Sequence, residues 1–175
     1  DLLSIRGYEE LAKGNIPIIA SFDKDTYQGQ GLHVYNFKNK EAKVEHIPEV
    51  GSLTFKAPQT VKGDGIKFLC WQWICYDKVD NYCSYDCSTK RFGPKTAYNL
   101  LKDLASEKEC LEMVLKVFKE RYPEPFKYTA WDESIVESSW KHQLEMYFAC
   151  CWMKRSREDK SSPWGLFDKY NVEYE

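Results

Sequence analysis

The chain has 175 residues, 43% of them hydrophobic and 15% aromatic, with six Trp, twelve Tyr and nine Phe. Side chains of this kind can fill a core, which excludes disorder as a general description. Lys plus Arg is 25 and Asp plus Glu is 27, a net charge of −2, so only local basic patches are left to bind nucleic acid. Mean hydropathy is −0.61, and no apolar run reaches the roughly 18–20 residues of a membrane span.

The size suits a single domain over 1–175. Its core is expected over about 15–122, with a helical C-terminal extension over about 128–175. The seven cysteines are an odd count, and Cys150 adjoins Cys151. That pattern favours a reducing intracellular compartment, cytoplasmic or nuclear, over a secreted disulfide scaffold.

Leu2, Leu3, Tyr8 and Leu11 recur at helical spacing before Gly14, a natural stop. Residues 15–22 read as a strand and 23–31 as a polar loop. Residues 32–37 alternate as a strand, 38–40 turn, and 42–47 return as the second strand of a hairpin. Residues 52–55 form a further strand, 62–65 a turn, and the aromatic run 66–76 a buried strand. Ala97, Leu100, Leu101, Leu104, Leu111, Val114, Leu115, Phe118 and Tyr122 then share a helical face. Ser106-x-x-Glu109 is a capping box that would restart this helix at Ser106; one unbroken helix over about 96–122 also fits the phase. Asp132 is expected to cap a last helix carrying Val136, Trp140, Leu144, Tyr147, Phe148 and Cys151. The tail from Lys160 reads as polar, packed through its aromatics or acting as a link. The sum is α+β: an N-terminal helix, an antiparallel sheet, and two long helices packed on it.

Three constellations could carry function. The first is Cys110 with His33 and His46. Thiol catalysis needs a nucleophilic sulfur, an imidazole to take its proton and a group to orient that imidazole. The hairpin brings the two histidines together across the strand pair. A cap at Ser106 puts Cys110 in the first helical turn, where the dipole favours a thiolate. The unbroken helix would instead make Cys110 a structural residue.

The second is Cys70, Cys75, Cys83 and Cys87, four thiols that could hold a zinc ion. Their spacing is looser than paired Cys-x2-Cys, and small apolar packing is the competing reading. The third is basic: Lys154, Arg155 and Arg157 in one cluster, Lys90, Arg91 and Lys95 in another. With Trp71, Trp73, Tyr76, Tyr82 and Tyr85 as stacking faces, they could form a nucleic-acid surface, in a zinc-stabilised viral-type regulator. Trp131, Trp140, Trp152 and Trp164 would also suit a protein-docking module without chemistry. His142 reads as solvated on the last helix.

The order of motifs resembles the lecithin:retinol acyltransferase-like family, a branch of the papain-like NlpC superfamily. Ile18-Ile19-Ala20-Ser21-Phe22, a loop, and Gly31-Leu32-His33-Val34-Tyr35 match its opening strand and first histidine. Val44-Glu45-His46-Ile47-Pro48 matches the second histidine. Gly93 and Tyr98-Asn99-Leu100-Leu101 precede Glu109-Cys110, where the family has Asn-Cys. The likeness spans roughly 15–120. It implies a cysteine-dependent acyltransferase or lipid/ester hydrolase with no cofactor. In that scheme Cys110 attacks an acyl-bearing small molecule or lipid, His33 moves the proton and His46 orients it. An oxyanion hole would lie at the start of the Cys110 helix.

Overall fold

The computed structural model describes residues 1–56, 60–75 and 93–175. Helix α1 (Leu2–Leu11) lies against a three-stranded sheet of β1 (Ile18–Ala20), β2 (His33–Tyr35) and β3 (Glu45–His46), in that order. The contact is close because Gly7 has no side chain: a Cβ there would stand 3.2 Å from the side chains of both Ile19 and Leu32. Strands β2 and β3 run antiparallel, as expected, but β1 and β2 are parallel. Parallel neighbours need a crossover. Residues 21–32 supply one through a 3-10 helix at Lys24–Gln28, which the polar composition of that stretch conceals. Gln28 pins this crossover to the rest of the molecule, donating to Gln72 Oε1 at 2.6 Å and to the Cys151 carbonyl at 2.8 Å.

An antiparallel hairpin follows, β4 (Leu53–Lys56) with β5 (Thr60–Gly63). Next comes α2 (Gly65–Ile74), where the sequence pattern predicts a strand; all ten of its residues are buried. A segment apolar on every side has no periodicity to distinguish helix from strand. Both of its indole N–H groups are directed to partners. Trp73 Nε1 donates to the Leu144 carbonyl at 2.9 Å, and Trp71 Nε1 to the Pro94 carbonyl at 3.1 Å.

The next helices are α3 (Pro94–Leu101) and α4 (Glu107–Arg121). They are separate elements, because the capping box forms. Ser106 Oγ accepts from the Glu109 amide, and the Glu109 carboxylate accepts from the Ser106 amide at 3.0 Å. The expected last helix is present but does not start at Asp132. A hairpin of β6 (Phe126–Thr129) and β7 (Ile135–Ser138) precedes it. Asp132 holds the turn instead, accepting from the Ser134 amide and hydroxyl. Capping passes to Ser139, which starts α5 (Trp140–Cys151). The tail contains α6 (Pro163–Lys169) and packs through its aromatics, with Phe167 in the core and Trp164 and Tyr174 against it.

Helix α2 is the hub. Helices α3, α4 and α5 pack on it rather than flat on the three-stranded sheet, and α6 packs on α5. Leu144, Phe148, Phe167 and Val172 share a single core with Leu69, Trp73, Val114 and Phe118, so residues beyond 128 belong to the same core as α2. The fold is α+β. No helix among the described residues is long and apolar enough to cross a membrane.

Candidate functional site

Side chains paired across strands share a face of the sheet. Ile19 and Val34 form one row, beneath α1, and are 5% and 0% exposed. Ile18, His33 and His46 form a row on the opposite face, and Ala20 and Tyr35 another. That outer face is open: Ile18 is 55% and Tyr35 37% exposed, and His46 is exposed. Phe22 and Phe37, two residues beyond these rows, place their rings edge-to-face at 5.5 Å. Lys38 Nζ stands 3.4 Å from the Phe22 ring centroid, a cation on the rim. Ile16, Ile18, Phe22, Tyr35, Phe37 and Val44, all in or next to these strands in the chain, are six of the ten large apolar side chains exposed among the described residues. In sequence the signal was Ile18-Ile19: a strand apolar on both faces calls for cover on both.

The histidine pair forms as the hairpin reading requires. The Ile47 amide donates to the Leu32 carbonyl at 2.9 Å. Residues 33 and 46 therefore fall at a non-hydrogen-bonded position, where facing side chains approach most closely. The ring centroids are 4.9 Å apart. His33 Nδ1 is buried and has no hydrogen-bond partner. Such an orphan costs about 1–3 kcal/mol.

Cys110 is not brought to this pair. It lies in the first turn of α4, as the capping box predicts, but is 0% exposed within the α2-centred core. Ile19, Leu32, Val34 and Ile47, the buried residues of the sheet, lie outside that cluster. The expectation of a favoured thiolate is corrected. Burial pushes the Cys110 thiol up to about 11. Lys67 lowers it and Glu109 and Glu107 raise it, but desolvation dominates. Cys70, which senses both Cys110 and Cys151, is also buried, as is Cys151, and the thiols of both are raised well above the ordinary value, chiefly by desolvation.

Cys70 and Cys75 are buried on or beside α2, while Cys83 and Cys87 lie outside the described residues. Among the described residues no three of His, Cys, Asp and Glu are grouped to hold a metal ion. Lys90 and Arg91 also fall outside the described residues, and Lys95 is on α3. Arg155 is a structural clamp. It donates to Gln30 Oε1 at 2.7 Å, and its guanidinium lies 4.6 Å from the Trp152 ring centroid. Arg157 faces Glu9 at 3.5 Å, and the Lys154 amide donates to Asp1. Of the late tryptophans, Trp140 packs edge-on to Trp164 and Trp152 Nε1 donates to Asp159, whereas Trp131 is 96% exposed. His142, expected to be solvated, lies in the first turn of α5 with Nδ1 3.1 Å from Ser138 Oγ.

A cleft of about 430 Å³ opens between the sheet loops and the β4–β5 hairpin. Lys24 and Lys62 line it together with Glu45 and Asp64, and Phe22, Tyr27 and Phe68 supply apolar surface. Burial raises the Tyr27 hydroxyl pKa, and the carboxylates of Glu45 and Asp64 add to the rise. The opposed charges give the cleft no net preference for an anion or a cation.

No protein-family model matches this chain, and no curated protein or solved structure is detectably similar to it.

Proposed function

We propose that this protein is an interaction module that docks an extended apolar segment of a partner protein on the outer face and free edge of its three-stranded sheet. One observation carries the reading: Ile18 and Tyr35 are exposed on one face of the sheet while Ile19 and Val34 on the opposite face are packed, and the exposed rings of Phe22 and Phe37 meet just beyond the ends of β1 and β2. A concentration of exposed apolar side chains around one small sheet favours an interaction site. Strand β1 is an edge strand, so its outer backbone groups can pair with an added strand. Lys38, Lys40 and Lys43 lie close together in the chain after β2, and Lys38 sits on the patch itself. The favoured partner segment therefore alternates apolar residues and carries acidic flanks.

An acyl-thioester function at Cys110 needs an accessible, ionised sulfur. The burial of Cys110 and its raised thiol pKa support docking over that chemistry.

The test is selection from a displayed library of extended peptides, followed by binding to Ile18→Asp and Tyr35→Asp. Both residues are exposed, so the fold should survive, as checked by circular dichroism. The expected result is enrichment of alternating apolar and acidic sequences, at least about tenfold weaker binding by both variants, and amide protection at residues 18–20 on binding. Selected peptides that ignore both substitutions, or protect another surface, would sink the reading. So would a selection that enriches nothing.

A further inference from the structure

We propose that His33 and His46 form a two-point site for a divalent transition-metal ion such as zinc, on the outer face of the three-stranded sheet. This inference does not depend on the docking reading. It rests on the spacing of the rings, the rigidity of their support and the unused nitrogen of His33.

Metal–nitrogen bonds are about 2.0–2.1 Å, which places the ion roughly 3.2 Å from each imidazole centroid. Two imidazoles on one ion, at the angles between octahedral and tetrahedral geometry, then hold their centroids about 4.5–5.2 Å apart. The observed 4.9 Å falls inside that interval. The rings need not be drawn together to bind.

The support is fixed by backbone and core. The amides of Ile47 and Gly31 donate to the carbonyls of Leu32 and Ile47 at 2.9 Å, next to the pair. Leu32, Val34 and Ile47 flank the histidines in sequence and are each 0% exposed. Both histidine Cα positions are thereby pinned.

The donor set selects the ion. Imidazole nitrogen suits zinc, copper and nickel, whereas magnesium and calcium require oxygen. Ile18, Ala20 and Tyr35 share the face with the pair and bring no carboxylate to it. His33 Nδ1 is buried without a partner, and bonding to an ion relieves that orphan if this nitrogen is the ligand. Two protein ligands leave the other coordination positions to water. The site therefore stands apart from groups of three or more ligands, none of which occurs among the described residues.

The experiment is titration of the ¹⁵N-labelled protein with zinc chloride, followed through the imidazole nitrogen resonances. His142, the remaining histidine, is the internal control. The His33 and His46 resonances should move together and saturate at one zinc concentration, and magnesium chloride should leave both in place. His46 is exposed, so His46→Gln should keep the fold, verified by circular dichroism. It should raise the zinc needed to shift His33 by roughly tenfold or more. The proposal fails if His46→Gln leaves the His33 response unchanged. It fails equally if zinc moves neither ring while thiols take it up.

Discussion

Helix α2 and strand β1 are both apolar on every side, yet the chain covers one and leaves the other open. Around α2 the cover is complete: Trp73 is fully buried, with the rings of Phe148 and Phe167 at 4.9 and 5.9 Å. Around β1 only Ile19 is covered, and Ile18 faces solvent. The chain has enough aromatic surface to close a core and closes it elsewhere. The open face of the sheet is therefore the surface on which docking is proposed.

The largest expected effect breaks this comparison directly. Trp73→Ala removes a fully buried indole and its hydrogen bond to Leu144, and should cost about 3–5 kcal/mol. Tyr35→Ala on the open face should change stability by less than about 0.5 kcal/mol. Urea denaturation with a common m-value measures both. Equal losses would mean that the sheet face is part of the core after all.

Second in size is thiol reactivity. A thiol held at about 11 has roughly 300-fold less thiolate near neutral pH than one at about 8.5. Iodoacetamide should therefore label exposed Cys150 in the native protein and reach Cys110 only on unfolding. Peptide mass spectrometry reads each site. Fast labelling of Cys110 below neutral pH, slowed by His33→Ala, would instead support acyl-thioester chemistry and displace docking.

The legible parts of the fold were those with a local cause. The capping box at Ser106 and Glu109 is a pairwise hydrogen-bond pattern, and of the two alternatives the sequence leaves open the structure shows the break before α4. The facing of His33 and His46 followed from alternation and one turn. Helix α2 was misread because a run apolar on every side carries no period. The β6–β7 hairpin was missed because Asp132 suits a turn as well as a helix cap. Parallel pairing of β1 with β2 depends on a crossover anchored by Gln28 to Gln72 and Cys151, residues 44 and 123 positions away. Nothing local announces contacts of that span. The burial of Cys110 was hidden for the same reason, since the groups that cover it come from other helices.

The cap itself gives the third effect. Ser106→Ala removes the acceptor for the Glu109 amide and should cost about 1 kcal/mol, visible as a lower urea midpoint. Ser106→Asp keeps an acceptor and should recover most of that loss. If alanine and aspartate behaved alike, the boundary between α3 and α4 would owe its place to packing rather than to the cap.

The smallest effect concerns Asp159, which ties the chain after α5 together. Its carboxylate accepts from the Arg155 amide at 2.6 Å, the Ser161 amide at 2.8 Å and Trp152 Nε1 at 3.2 Å. Partial burial opposes its charge, yet these bonds together hold its pKa below the ordinary aspartate value. A carboxyl depressed in the folded state contributes stability above its unfolded pKa, about 3.9. That contribution is lost as pH falls through the lower folded value, because the unfolded chain takes up the proton first. Stability should thus decline between about pH 5 and pH 3 by less than about 1 kcal/mol for this group, which is largely solvated. Asp159→Asn should flatten that part of the profile and leave the neutral-pH slope unchanged. The same substitution should not touch the sheet face, so peptide binding there should persist at neutral pH. A variant that lost both would tie the two regions into one cooperative unit, and the contrast between covered helix and open strand would then be one of exposure rather than of independence.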